Sequence, residues 1–360
     1  MELFDVAIVG GGPAGSSCAA FCALAGLRTL VLERESFPRE KVCGDCLNPS
    51  CWPVFERLGV TQRVRNLPHA RLDSVDFIAI DGHKVSIELP TNDHCELSIK
   101  RSLLDNLLLR RAHGAGAQIC ERTTVTSLAR NDDWRIETAG NGTFSARVLI
   151  AADGRNSTVA RFCNLLPKPA RERVALQAHI PLPRNFGRRV VLQFLREGYS
   201  GQAPVNEHEL NLCLVGTPPT IAQLRRWAEH CFGVAANQPW RTITPLTRSP
   251  VPCAHENLLF IGDAARVVEP FTGEGIYYAI RSGELAASAT MQLIRGQNRE
   301  SALREFTRAC AEMYRGRLWV NRLARAAVLR PQVGSFFVQA ARMNSSILKL
   351  VTAKIVSAQL

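Results

Sequence analysis

The stretch Phe4-Asp5-Val6-Ala7-Ile8-Val9 runs directly into Gly10-Gly11-Gly12-Pro13-Ala14-Gly15, and Ser16-Ser17-Cys18-Ala19-Ala20-Phe21-Cys22-Ala23-Leu24 follows. The short apolar run predicts a buried parallel strand. The small apolar segment after the glycines predicts a helix packed on a sheet, ended at Gly26. Leu27–Leu32 is the next strand, closed by Glu33 and Arg34. Gly10, Gly12 and Gly15 fit G-x-G-x-x-G. Gly10 allows the tight turn, Gly12 lets the backbone approach a pyrophosphate, and Gly15 lets helix and strand come close. Pro13 and Ala14 open the helix, whose free amides and dipole favour a phosphate. Glu33 follows Gly15 by about 18 residues, near the spacing of an acid that holds ribose hydroxyls. Its carboxylate repels a 2′-phosphate, so FAD or NAD is expected rather than NADP.

Composition narrows the class. Of 360 residues, 46% are hydrophobic and 21% charged, as in an ordinary globular protein with a sizeable core. The formal charge of +12 attracts anions. No basic run interleaved with aromatics marks a nucleic-acid track, so no nucleic-acid partner is expected. The twelve cysteines are scattered. No signal peptide or 18-residue apolar stretch is visible, and a cytoplasmic chain with free thiols is expected. No ligand spacing suggests a metal.

Three further segments complete a pattern. Arg101 stands ahead of a helix over Leu103–Ala112. Val148-Leu149-Ile150-Ala151-Ala152-Asp153-Gly154 is a strand entering a D-G turn. Leu258-Leu259-Phe260-Ile261-Gly262-Asp263 is a strand delivering an aspartate, followed by Pro270 and Gly273-Glu274-Gly275-Ile276. With the opening motif, these segments make the chain resemble the flavoprotein monooxygenase superfamily with the para-hydroxybenzoate hydroxylase fold, most closely its geranylgeranyl reductase branch. The resemblance implies an α/β fold: a Rossmann-type FAD-binding fold with an inserted antiparallel-sheet substrate domain and C-terminal helices. The expected division is 1–70, 98–165 and 252–298 for FAD, 71–97 and 166–251 for the substrate layer, and 299–360 for a helical region. The resemblance places Arg101 on the cofactor phosphates, Asp153 with Gly154 in a second fingerprint, and Asp263 with Gly262 on ribityl hydroxyls. Gly273, Gly275 and a helix N-terminus would face the isoalloxazine. Strands are expected at Val75–Ile80, Lys84–Leu89, Val174–Ile180, Val190–Leu195 and Glu209–Val215.

The loop Lys41-Val42-Cys43-Gly44-Asp45-Cys46 matches the reductase branch's K-x-C-G-[DEG] pattern, which puts Cys43 beside the flavin. Cys43 would donate a proton or shape the pocket, and a low pKa would support a functional role. A redox Cys43–Cys46 pair is the alternative. No W-x-W occurs, which speaks against halogenation. Phe186, Phe194, Tyr199 and Trp240 are candidates for an apolar pocket. Arg322, Arg325, Arg330 and Arg342 alternate with apolar residues in the tail. The segment Ile347–Val356 is amphipathic and would rest on the body or on a membrane surface. The leading expectation is an FAD enzyme reducing double bonds of a large apolar or lipid substrate, with NAD(P)H or a partner protein as electron donor. The alternatives are a monooxygenase acting on an aromatic or polyketide compound, and a non-catalytic electron-transfer module.

Overall fold

The computed structural model describes residues 2–168, 173–235, 237–268, 273–315, 317, 326 and 330–343. Pro270, Arg322, Arg325 and the segment Ile347–Val356 lie outside the described residues, as does the side chain of Arg342.

The apolar run at the start becomes the strand Leu3–Val9, central in the first sheet. Along that sheet, Leu258–Phe260, Gly142–Ala151, Leu3–Val9, Thr29–Leu32 and Gln118–Cys120 are parallel neighbours. The hairpin Val125–Arg130/Trp134–Thr138 extends it antiparallel to Gly142–Ala151. The strands are apolar on both faces because each face is covered. On one face lie the opening helix Pro13–Leu24 and the helices Arg101–Gly114 and Gly275–Ile294.

The close packing of helices 13–24 and 275–294 follows from small residues. A Cβ built on Gly283 would lie 2.4 Å from the Ala14 carbonyl oxygen and 2.3 Å from Ser17 Oγ. Ser17 Oγ also donates across to the Ile280 carbonyl at 3.2 Å. Only a glycine at 283 lets the two backbones approach this far.

The second sheet has seven strands. Its order is Arg241–Ile243, Val174–Pro181, Glu209–Gly216, Gly198–Pro204, Arg189–Leu195, Ser74–Ile78 and Lys84–Glu88. Every seam is antiparallel except that between Arg189–Leu195 and Ser74–Ile78, which is parallel. That seam joins the two stretches of chain that contribute to the sheet. Gly198–Pro204 is absent from the expected strands because its glycines and proline hide the alternation. The sheet separates two apolar clusters. One face, with Phe77, Phe194, Tyr199 and Leu246, looks toward the first sheet's ligand edge and is joined by Val338 of the helix Pro331–Met343. The other face is packed by the helix Ile221–Phe232.

A third sheet of three very short strands lies at the junction: Cys46–Leu47, Leu97–Ser98 and Ala70–Arg71. It ties the end of the Cys43 loop to the entry of helix 101–114. The helix contact at Gly283 has a measurable consequence. Gly283→Ala should destabilise the fold by about 1–3 kcal/mol through overpacking. Thermal unfolding checks this, and an unchanged midpoint would contradict the packing described.

Candidate functional site

Where the parallel strands end, the chain turns sharply. Gly10 has φ +105°, and a Cβ there would lie 2.5 Å from the Ala152 carbonyl oxygen. A Cβ on Gly15 would lie 1.9 Å from the Gly10 carbonyl oxygen. Gly10 and Gly15 are therefore required by the protein's own packing. Gly12 is different: its φ is ordinary, and a Cβ would meet only Arg39 Nη2 at 3.4 Å. It borders open space, where the first-turn amides of helix 13–24 have no intrahelical acceptor. Glu33 braces this turn, accepting from Gly11 N–H at 2.6 Å and from Glu35 N–H at 2.9 Å.

The open space is one end of a cavity of about 740 Å³. Gly10, Gly12, Pro13, Ala14, Glu33, Arg34, Arg101, Asp153, Gly154, Asp263, Gly273, Gly275, Ile276 and Cys43 all line it. Segments far apart in sequence are thus brought to one wall. Gly15 and Gly262 stand behind the wall as spacers; a Cβ on Gly262 would lie 3.0 Å from that of Ala14.

Several side chains do more than the sequence suggested. Asp153 Oδ2 accepts from the amides of Thr158 and Val159 at 2.6 and 3.0 Å, capping the short helix Thr158–Phe162. Its Oδ1 is buried with no partner among the described residues. Asp263 Oδ2 accepts from Arg155 Nη2 at 3.1 Å. Arg101 has partners of its own. Its guanidinium lines the cavity while bound to Asp105 through two 2.7 Å bonds, and it also contacts the Cys43 thiol; Arg39 Nη1 lies 3.3 Å from the same carboxylate. Arg39 is the cation that meets the glycine turn, stacked over Phe37 at 4.7 Å. Lys41 lies nearby. Burial, with the charges of Arg101 and Arg39, lowers its pKa to about 8. A site whose cations destabilise one another accepts an anion readily, as a diphosphate would be.

FAD fits these features. The free amides and the Arg39–Lys41 cluster suit the diphosphate. Glu33 lines the far end, where a ribose would reach it. The unpartnered Asp153 oxygen and Asp263 are acceptors for further hydroxyls. The turn Gly273–Gly275, at the start of helix 275–294, suits the ring system.

Beyond that turn the cavity becomes an apolar chamber. Val75, Phe77, Leu192, Phe194, Tyr199 and Leu246 form one wall, and Phe337 and Val338 another. Two expected lining residues are corrected. Phe186 and Trp240 pack on the opposite face of the seven-stranded sheet, around helix 221–232. Alternation along a strand cannot say which face meets a ligand.

The Cys43 loop is held from beneath by a buried polar network. Asp45 adopts φ +59°, and its Oδ2 lies 2.7 Å from His179 Nε2. Asn211 Nδ2 donates to Asp45 Oδ2 at 2.9 Å and to the Cys43 carbonyl at 2.8 Å. Cys213 Sγ donates to the same carbonyl at 3.4 Å. Burial raises the Cys43 thiol pKa, and the Arg101 charge only partly offsets this. The low pKa that would support a reactive thiolate is therefore not found: Cys43 holds its proton. Cys46 is pushed well up by burial and by Glu96, so a thiolate-driven Cys43–Cys46 couple is not favoured. The interruptions of apolar strands by His179 and Asn211 were the signal that could have found the network.

Glu96 lines the cavity, is 8% exposed, and has no hydrogen-bond or ion-pair partner among the described residues. Burial raises its pKa to about 7. The folded state therefore binds more protons than the unfolded chain between the ordinary value of 4.5 and about 7. Stability should fall as pH rises through that window, by at most about 3 kcal/mol. Relative to wild type, Glu96→Gln should gain stability from pH 5 to pH 8. Denaturant unfolding at both values checks this; a pH-independent difference would contradict it.

Known proteins align with this arrangement. Residues 4–175 match the family described as FAD binding domain. The chain is 28% identical over 318 residues to menaquinone reductase of Mycolicibacterium smegmatis, covering 79% of this chain and 75% of that protein. It is 27% identical over 334 residues to digeranylgeranylglycerophospholipid reductase 1 of Methanothermobacter thermautotrophicus, covering 86% and 82%. The flavin-dependent brominase Bmp2 superposes with a TM-score of 0.80 at 19% identity, covering 99% of this chain and 95% of that one, a likeness of fold. With a nucleotide turn, a match to the FAD binding domain over residues 4–175 and reductase relatives, the chain is an FAD-dependent oxidoreductase whose fold resembles that of the monooxygenase-like flavoproteins.

Proposed function

We propose that the protein reduces a carbon–carbon double bond in a large apolar substrate, with FAD carrying the electrons and NAD(P)H or a partner protein supplying them. The observation that carries this reading is the apolar chamber continuous with the nucleotide site, with a protonated Cys43 in its wall. Bound and reduced, FAD supplies a hydride to one carbon of such a bond. The second carbon needs a proton. Cys43 holds one on Sγ, kept there by burial, and the Asp45–His179–Asn211 network fixes the loop that presents it. Burial also excludes water from the carbon that receives the hydride. A thiol set for nucleophilic attack would need the opposite pKa shift.

Relatives support the same direction: one is a menaquinone reductase and another a digeranylgeranylglycerophospholipid reductase. An apolar chamber beyond the nucleotide site is of little use to a module that only passes electrons. Among the described residues no helix is long and apolar enough to cross a membrane.

Mixing the reduced holoprotein anaerobically with a prenyl lipid should reoxidise the flavin and add two hydrogens to the lipid. Cys43→Ala should slow that step by about a hundredfold or more, the range of general-acid effects. Reduction of the flavin by its donor should be untouched. Fast oxygen-dependent product formation, with no anaerobic reoxidation by any prenyl compound or polyene, would overturn the reading in favour of a hydroxylating one.

A further inference from the structure

We infer that Glu96 is a substrate-recognition residue that donates a hydrogen bond to an oxygen acceptor, a carbonyl or hydroxyl, carried by the apolar substrate. This rests on the reading of the chamber as an apolar-substrate site.

Three observations meet at this residue. First, its carboxyl reaches the cavity wall while the residue is more than nine-tenths buried. Second, no described side chain or backbone group donates to it. Its oxygens open onto the cavity rather than onto protein, so a polar group facing an apolar chamber is left to pair with what occupies that chamber. Third, its position is fixed. Glu96 immediately precedes the strand Leu97–Ser98, which pairs with Cys46–Leu47 at the end of the Cys43 loop. Its backbone carbonyl accepts from Leu72 N–H at 3.1 Å. Cys46, which feels the Glu96 charge, has its Cβ 4.0 Å from where a Cβ on Gly273 would stand. The carboxyl is therefore held at the junction of the nucleotide site and the apolar chamber, on the side of the Gly273 turn.

The form of the acid follows from its surroundings. The titratable groups whose electrostatics involve it are the thiols of Cys46 and Cys51, both driven further toward the protonated form by burial. With no cation paired to it, burial raises the carboxyl's pKa to about 7, so below that pH it carries a proton, and a protonated carboxyl is a donor. A purely hydrocarbon ligand would leave that donor unsatisfied. A ligand with an oxygen near the reacting end would satisfy it and be held in one register relative to the flavin. Substrate selection by such a group works mainly through the penalty for ligands that cannot pair with it.

The test compares geranylgeranylacetone, a prenyl ketone, with the hydrocarbon derived from it by removing the carbonyl oxygen. Binding to FAD-loaded protein is followed by perturbation of the flavin's visible bands. Wild type should bind the ketone about tenfold more tightly than the hydrocarbon, as expected for one buried hydrogen bond. Glu96→Gln, whose amide still donates, should keep most of that ratio. Glu96→Leu should bring it close to one while binding the hydrocarbon at least as well as wild type does. A ratio in Glu96→Leu equal to that of wild type overturns the assignment and leaves the reductase reading standing. If wild type binds neither compound, the chamber is not an apolar-substrate site, and the assignment falls with that reading.

Discussion

The backbone contact between Gly15 and the Gly10 carbonyl is the constraint on which the rest of the molecule depends. It lets the opening helix begin directly against the ends of the parallel strands, with 1.9 Å between that oxygen and any added Cβ. The helix amides and dipole then point into the space beyond the sheet, where an anion is stabilised. Gly283 repeats the device on the helix's other side, bringing helix 275–294 and its own N-terminal turn to the same space. Two helix starts and three strand ends thus face one elongated cavity, and the flavin site follows from how closely these backbones can pack.

The second half of the molecule supplies shape rather than charge. The seven-stranded sheet presents one apolar face to the cavity and buries the other under helix 221–232. Placed over the Gly273 turn, that face makes a dry chamber, and dryness sets the chemistry of the few polar groups inside. Burial favours the protonated forms of both: Cys43 is raised despite the guanidinium beside it, and Glu96, with no cation paired to it, is raised to about 7. The same exclusion of water makes the Asp45–His179–Asn211 network necessary, since a loop carrying a buried thiol needs its backbone carbonyls paired.

Much of the nucleotide side was legible in the sequence because its chemistry is local. The turn at 10–15, the acid at 33 and the aspartates at 153 and 263 each sit at a strand end, where position in the chain predicts position in space. The substrate side was less legible because its determinants are not local. Glu96 carries no motif; its importance comes from lacking a partner, which only packing reveals. Arg39 carries no motif either, and it is the fold that turns it onto Gly12. Phe186 and Trp240 alternate like the residues that do line the chamber, yet lie on the other face. Asp153 and Glu33 were read as ligand contacts, and each also braces the backbone. A carboxylate at a turn can cap amides and face a ligand at once, so its sequence position does not separate the two uses.

Gly12 offers the most direct test of the central claim that the helix start at this turn holds the cofactor diphosphate. A side chain there meets only the end of the flexible Arg39, so the fold accommodates Gly12→Asp. Its carboxylate would occupy the space reserved for the diphosphate. Titration of flavin-free protein with FAD, followed by quenching of flavin fluorescence, reads the effect. Wild type should bind one FAD per chain, and the folded variant should lose that binding by at least about a hundredfold, the scale of an uncompensated like-charge contact in a partly buried site. Equal affinity in the two proteins would contradict the account.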